Sequence, residues 1–183
     1  IRRAVKYLLA TNMSEIIVMF ASLVAGTGTP LNPMQLLWIN LVSDIFPGLA
    51  LAVQPPDDEI LRRPPRDPDE PILGRRELIQ LFRQSAVIGG GTFGAYLYGA
   101  SRYGFGPRAS TTAFMSITGA QLLHLLTASN EPHSVLGSYR PGKNPMVQYA
   151  MFGGLGLQLT TQLVPPLRRL LRATPLRPAD GLV

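Results

Sequence analysis

The 183-residue chain contains no cysteine, which excludes a disulfide framework and thiolate metal sites. It is also short of charge: Asp, Glu, Lys and Arg make up 15% of the residues, against roughly 25% in soluble domains. Acids are the scarcer sign, 11 against 17 Lys and Arg. An initiator Met is missing, and the chain opens at Ile1 directly on a basic helical stretch, which reads as a piece of something longer. The first apolar run carries no small-residue cleavage pattern and is interrupted by Glu15, so it is not a signal peptide. Internal repeats and long low-complexity tracts are absent too.

Charge is missing in blocks. Five stretches are almost free of it: Tyr7 to Thr27, Pro33 to Val53, Gln84 to Ser101, Ala109 to Asn130, and Asn144 to Leu167. Each approaches the roughly 17–25 residues a helix needs to cross a bilayer, the Gly-rich third being the shortest. The core of a soluble protein explains one such run, not five. The expected fold is therefore all-α, a polytopic transmembrane helix bundle filling residues 1–183, with spans at about 7–27, 33–53, 80–101, 109–130 and 144–167. The net charge of +6 then belongs to the flanks of spans, not to a nucleic-acid surface.

Lys and Arg set the orientation. Arg2, Arg3 and Lys6 precede the first span, and Arg62, Arg63, Arg66, Arg75 and Arg76 lie in the loop 54–77, on the same side. The turn "GTGTPLN" at 26–32, on the other side, has no charge. The N-terminus and the 54–77 loop are thus expected in the cytoplasm of a multi-pass plasma-membrane protein. The tail 165–181 carries four Arg and falls outside if all five spans cross; either the early helices dominate or the last span is re-entrant. The early loops carry more weight.

Two acids, Glu15 and Asp44, stand inside the apolar runs, where a carboxylate costs about 2.5–3.5 kcal/mol even on insertion scales. Asn12 and Glu15 share a helix face at a spacing of three, and Asn40, Ser43 and Asp44 share one at spacings of three and four. A short Gly/Pro turn makes the two helices antiparallel neighbours, so these faces meet. The set is all oxygen, and a hard cation such as Ca²⁺ takes about 6–8 oxygens. Pro47 cannot donate to the Ser43 carbonyl and, with Gly48, is expected to loosen the helix there; broken helices at mid-membrane mark ion sites. Alternatives stay open: the amides and Ser43 could only bridge helices, the two acids could relay protons, and Gln121 and His124, three apart, could be packing. Gly90, Gly94 and the Gly153-Gly154-Gly156 cluster are expected at close helix contacts, and Tyr96, Tyr98 and Tyr103 in an aromatic belt.

"YLLATNMSEII" followed by "NPMQLLWINLVSDIFPGLALAVQPPDDEILRRPPR" resembles the fifth and sixth membrane helices of P-type cation pumps, the calcium-transporting ATPases of the sarcoplasmic-reticulum type and their bacterial relatives above all. The likeness is dense over residues 4–73; beyond, it rests on span order and on "AQLLHLL" at 120–126, similar to the eighth helix. The resemblance implies helices five to nine of such a pump, Ca²⁺ as the transported cation, and Asn12, Glu15, Asn40, Ser43, Asp44 and Gln121 at the ion-binding positions. Thr stands in the family where Ser43 stands here, and an acid where Gln121 stands, which puts ion identity and stoichiometry in question. The partners implied are the bilayer, helices one to four, and the actuator, nucleotide and phosphorylation domains, where ATP and Mg²⁺ are used and which the 54–73 loop would contact. The sequence has no D-K-T-G-T motif, so the chain alone cannot hydrolyse ATP by that mechanism. A passive or proton-coupled carrier and a non-transporting remnant are the rival readings.

Overall fold

The computed structural model describes residues 2–53, 73–129 and 145–175, and among them there is no strand. Helix α1 is Arg2–Val24, α2 Pro33–Ile39, a π-helical segment Asn40–Ile45, and α3 Phe46–Ala52. Then come α4 Arg75–Tyr103, α5 Pro107–Ser129, α6 Pro145–Leu163 and the short α7 Pro165–Leu170. The cytoplasmic loop expected over 54–77 lies outside the described residues up to residue 72.

Local chemistry sets these boundaries. Gly26 and Gly28 take left-handed φ values of 64° and 85°, which reverses the chain after α1. Asn32 caps α2: its side chain accepts from the Gln35 N–H at 3.0 Å, and the Gln35 side chain accepts from the Asn32 N–H at 3.0 Å. Pro33 stands where the first helical N–H would have no partner anyway. The segment Pro33–Ala52 is one continuous helix whose middle widens into the π turn, which ends two residues before Pro47, the residue that cannot donate to the Ser43 carbonyl. The expected loosening is thus real, and it has a defined form.

Large apolar side chains cover the outside of the bundle, and many polar ones are buried within it beside an apolar core. Ile16, Phe20, Leu37, Leu49, Phe82, Val87, Tyr149 and Phe152 are exposed, while Thr11, Ser14, Glu15, Gln35, Ser43, Asp44, Ser85, Gln121 and Gln158 are buried. Water does not select that distribution; hydrocarbon does. Arg2–Val24 and Pro33–Ala52 are long and apolar enough to cross a bilayer. The others match them in length, but Gly, Ser, Thr and Gln dilute their apolar content.

Two apolar clusters mark the two ends of the bundle. One holds Ala4, Tyr7, Leu51, Leu125 and Val147; the other holds Leu31, Tyr96, Ala109 and Leu171. Val147, near the start of α6, lies in the first cluster, and Leu171, just after α7, lies in the second. The Asn32 side chain donates to the Leu171 carbonyl at 2.9 Å, which fixes α7 beside the α1–α2 turn.

Glycine packing corrects one expectation. A Cβ on Gly89 would lie 2.9 Å from the Ser14 carbonyl, one on Gly99 3.0 Å from the Ala109 Cα, and one on Gly154 2.7 Å from Leu122 Cδ2. At Gly90, Gly94, Gly153 and Gly156 it would meet nothing within 4 Å. The buried line of α4 runs through Ser85, Gly89, Thr92, Tyr96 and Gly99, so Gly90 and Gly94 point away from the neighbours. Tyr96 is on that line too: it is buried and donates to the Thr27 carbonyl at 2.7 Å, so it belongs to the core and not to a belt.

At the end where α1 begins, Glu77 ties α1 to α4. Its carboxylate receives Lys6 Nζ at 2.7 Å, pairs with Arg2, and accepts the Gly74 N–H at 2.6 Å. The Lys6 and Arg2 donors hold its pKa down from 4.5 to about 2. A depressed carboxylate pKa stabilises the fold above the ordinary value and ceases to as pH falls through the folded one. Glu77→Gln should therefore lower the unfolding temperature of the detergent-solubilised chain at pH 7, and the gap to wild type should close between pH 4.5 and about 2. A gap independent of pH would show that Glu77 does not carry this tie.

Candidate cation site

Helix α1 turns Tyr7, Thr11, Ser14 and Glu15 into the bundle along one face, the i, i+4, i+7, i+8 pattern of a buried stripe. The π segment turns Val42, Ser43 and Asp44 inward, three consecutive residues. A π turn holds more residues than an α turn, so adjacent side chains share one face more easily. Gln121 comes from the buried face of α5.

Asp44 is the centre. Thr11 Oγ1 lies 2.9 Å from its Oδ1, and Asn12 Nδ2 donates to its Oδ2 at 2.9 Å. Asn12 Nδ2 also donates to the Leu8 carbonyl at 2.8 Å, so both amide hydrogens are engaged and Oδ1 is the atom left to act as a ligand. Gln121 Nε2 lies 3.3 Å from Glu15 Oε1 and 3.2 Å from the Thr11 carbonyl. Thr11 thus links the two carboxylates, one through its hydroxyl and the other through its carbonyl and Gln121. No Lys or Arg among the described residues pairs with either acid.

Two oxygens here are buried without a partner: Ser43 Oγ and Gln121 Oε1. A buried polar atom left unsatisfied costs about 1–3 kcal/mol. Unpaired oxygens beside two uncompensated carboxylates fit a hard cation and fit an anion not at all. Among the described residues no three His, Cys, Asp or Glu converge. The donor set is instead two carboxylates joined by amides and hydroxyls, as a Ca²⁺-like ion accepts.

The Ser43 carbonyl, which Pro47 cannot serve, receives the Tyr7 hydroxyl at 2.7 Å. The same hydroxyl lies 3.2 Å from the Gln121 carbonyl, and the Tyr7 ring stacks on His124 with centroids 5.8 Å apart. Tyr7 therefore joins α1, the π segment and α5 immediately beside the site.

Hydrogen bonds join Asn12 to Asp44 and Gln121 to Glu15, Ser43 is buried next to Asp44, and Asn40 makes no bond to these residues among those described. The Asn40 amide donates back to the Leu36 carbonyl of its own helix at 3.0 Å. Thr11 and Tyr7 were not among the expected site residues. Both were within reach of the same spacing rule, since Thr11 is four residues and Tyr7 eight before Glu15. One side of the site is open: Asn12 and Glu15 line a groove of about 720 Å³ whose other walls, including Ile16, Met19, Phe20 and Leu36, are apolar.

Comparison with known proteins identifies the family. The family model described as "Cation transporting ATPase, C-terminus" matches residues 28–183. The chain is 30% identical over 187 residues to a "Calcium-transporting ATPase" of Bacillus subtilis, covering 100% of the chain and 20% of that protein. It is 31% identical over 186 residues to "Calcium-transporting ATPase type 2C member 2" of Mus musculus, covering 100% of the chain and 19% of that protein. A "Probable calcium-transporting ATPase" of Trypanosoma brucei brucei is 28% identical over 199 residues, with 96% and 20% covered. The chain spans about one fifth of the length of the curated relatives it matches. It belongs to the cation-transporting ATPase C-terminal family.

Replacing Tyr7 by Phe removes the only side-chain donor recorded on the Ser43 carbonyl. Tyr7→Phe should destabilise the chain by about 1–3 kcal/mol, read by unfolding in detergent. Tyr98→Phe, on the surface of α4, should change it by less than about 0.5 kcal/mol. Equal effects would show that the carbonyl has another donor.

Proposed function

We propose that this chain is the ion-translocating membrane part of an ATP-driven P-type cation pump, with Ca²⁺ as the cargo. The observation that carries the reading is the pair Glu15 and Asp44, buried on facing helices with oxygen donors and no basic partner. The names of the relatives favour calcium, and so does the hard, all-oxygen donor set. All five long helices cross the bilayer in this reading. Exposed apolar side chains along α1, the α2–α3 helix, α4 and α6 support that, and α4, at 29 residues, exceeds the roughly 30 Å of hydrocarbon. The N-terminus and the 54–77 loop face the cytoplasm of the bacterial plasma membrane, on the side where Arg2, Arg3, Lys6, Arg75 and Arg76 gather.

The cargo is held by Asp44, Glu15, Asn12 Oδ1 and Ser43 Oγ, with Thr11 and Gln121 at the edge. Asn40 Oδ1 can join as well, since the Leu36 carbonyl engages only its Nδ2. Gln121 presents its Nε2 to Glu15, so an N–H stands where an acid would offer a second ion an oxygen; one ion per cycle follows. The groove beside Asn12 and Glu15 suits a further apolar helix carrying the remaining oxygens, which the resemblance assigns to the pump's helices one to four. In the cycle, ATP and Mg²⁺ act in cytoplasmic domains, where an aspartyl phosphate forms and breaks. The π segment is the part of the site best able to change geometry in response, because Pro47 leaves its hydrogen-bond ladder incomplete.

In a pump that contains this chain, Asp44→Asn should abolish cation-dependent phosphorylation by ATP while the protein still reaches the membrane. Phosphoenzyme formation that keeps its Ca²⁺ dependence would remove Asp44 from the site. Glu15→Gln should weaken the Ca²⁺ dependence by at least tenfold, the value of losing one charged ligand contact of about 1.4 kcal/mol or more.

A further inference from the structure

A second pocket lies at the opposite end of the bundle from Glu77. It has a volume of about 310 Å³ and is bounded by the α1–α2 turn, the start of α5 and the residue that ends α7. Its lining includes Thr29, Asn32, Tyr96, Phe105, Ser110 and Arg172, and no carboxylate. The described acids of the chain are Glu15, Asp44 and Glu77, all elsewhere, so this end has no negative side chain among the described residues.

The carbonyls around the pocket are already served. Thr27 O receives Tyr96 Oη at 2.7 Å, Gly28 O receives Ser22 Oγ at 2.6 Å, and Leu171 O receives Asn32 Nδ2 at 2.9 Å. Donors are left over. The Arg172 guanidinium, with five N–H groups, has no acceptor among the described residues. Behind Ser110 and Asn32 sits Gln35, fully buried: its Oε1 receives Ser110 Oγ and the Asn32 N–H, both at 3.0 Å, and its Nε2 has no partner. The two donors to Oε1 fix the orientation of the amide, so the unpartnered atom is a true donor.

Arg172 is also in the wrong conformation for an arginine. The Ala173 N–H bonds the Arg168 carbonyl at 2.9 Å and the Arg172 N–H bonds the Arg169 carbonyl at 3.1 Å, the two bonds of a Schellman cap. Arg172 occupies its left-handed position with φ 49°, where glycine is the favoured residue. Glycine would end the helix at lower cost, so the sequence spends conformational energy to put a guanidinium at the pocket.

We propose that this pocket binds the phosphate group of an anionic lipid headgroup in the leaflet on the α7 side. A guanidinium takes phosphate oxygens bidentately, and a pocket of about 310 Å³ is at the small end of ligand sites. Phe105, exposed at the rim and 6.0 Å from the Tyr96 ring, supplies the apolar contact that an acyl chain wants and a free anion does not. Arg168 and Arg169 on the adjoining α7 extend the positive surface. A cation leaving the bundle would be repelled by Arg172, so the pocket is not an exit route. The proposal rests on the membrane reading but not on transport.

The test uses the full 183-residue chain in detergent, with native mass spectrometry of retained phosphatidylglycerol and phosphatidylcholine. Wild type should retain phosphatidylglycerol preferentially, and Arg172→Gly should weaken that retention about tenfold, the loss of one charge-assisted contact. Because glycine suits the cap, the lipid-free unfolding temperature of the same variant should hold or rise. Undiminished retention in Arg172→Gly overturns the proposal, as does a fall in unfolding temperature that accompanies the loss. Inorganic phosphate that binds lipid-free wild type and not the variant, with no preferential retention of phosphatidylglycerol by either, would overturn the lipid as source and assign the pocket to a free anion. In either case the ion site at Asp44 is untouched.

Discussion

Pro47 has no N–H to give the Ser43 carbonyl, and the interior of the bundle is arranged around that missing donor. A π segment takes up the misfit, and the Tyr7 hydroxyl supplies a hydrogen bond from another helix. The consequence reaches the site directly. The widened turn carries Ser43 and Asp44 inward together, and Tyr7 brings α1 and α5 to the same point. The candidate site residues and the residue that repairs the helix are therefore one cluster. Hydrocarbon raises the stakes, since a backbone carbonyl there has no water to turn to.

The same solvent argument explains the interior. In water, a core of Thr, Ser, Gln, Glu and Asp would be a liability; in a bilayer these groups have no better place to go. Most of them satisfy one another: Ser85 bonds the Ala10 carbonyl at 3.0 Å, and Trp38 Nε1 donates to Gln158 Oε1 at 3.1 Å. The exceptions within reach of the two acids are Ser43 Oγ and Gln121 Oε1. Thr92 Oγ1 and Gln162 Oε1 are unpartnered elsewhere, so it is the two carboxylates beside Ser43 and Gln121 that set this cluster apart from a polar helix interface.

Much of this was legible in the sequence. Charge-free blocks gave the helices, and a single proline inside one gave the place where it deforms. Helical spacing found Glu15, Asp44, Asn12 and Ser43, because a stripe on an α-helix obeys a fixed period. It also put Asn40 on that face, where its amide bonds back to the Leu36 carbonyl as that of Asn12 does to Leu8. It passed over Thr11 and Tyr7 because a hydroxyl reads as ordinary helix content until its partner on another helix is known. Glycine gave the same difficulty. Gly89 and Gly90 are adjacent and chemically identical, and only the neighbouring helix decides which one is needed for close approach. Tyr96 lies within a helix end by sequence, yet the α1–α2 turn folds over it and buries it.

The two acids are held in different ways, and the packing says why. Around Glu15, α1 is fixed to α4 at backbone range: Gly89 admits the Ser14 carbonyl, and Ser85 bonds Ala10 one turn earlier. Close packing of this kind has discrete arrangements and resists small shifts. Across the groove, α2 stands off from α1, joined to it by a turn with two left-handed glycines. Asp44 sits in the segment whose ladder is already incomplete. Moving Glu15 means separating two helices, and moving Asp44 means giving up its bonds to Thr11 and Asn12 on α1 as well as redistributing those within the π turn. The fold thus ties both acids to α1, one through helix packing and the other through two hydrogen bonds beside the turn that Pro47 created.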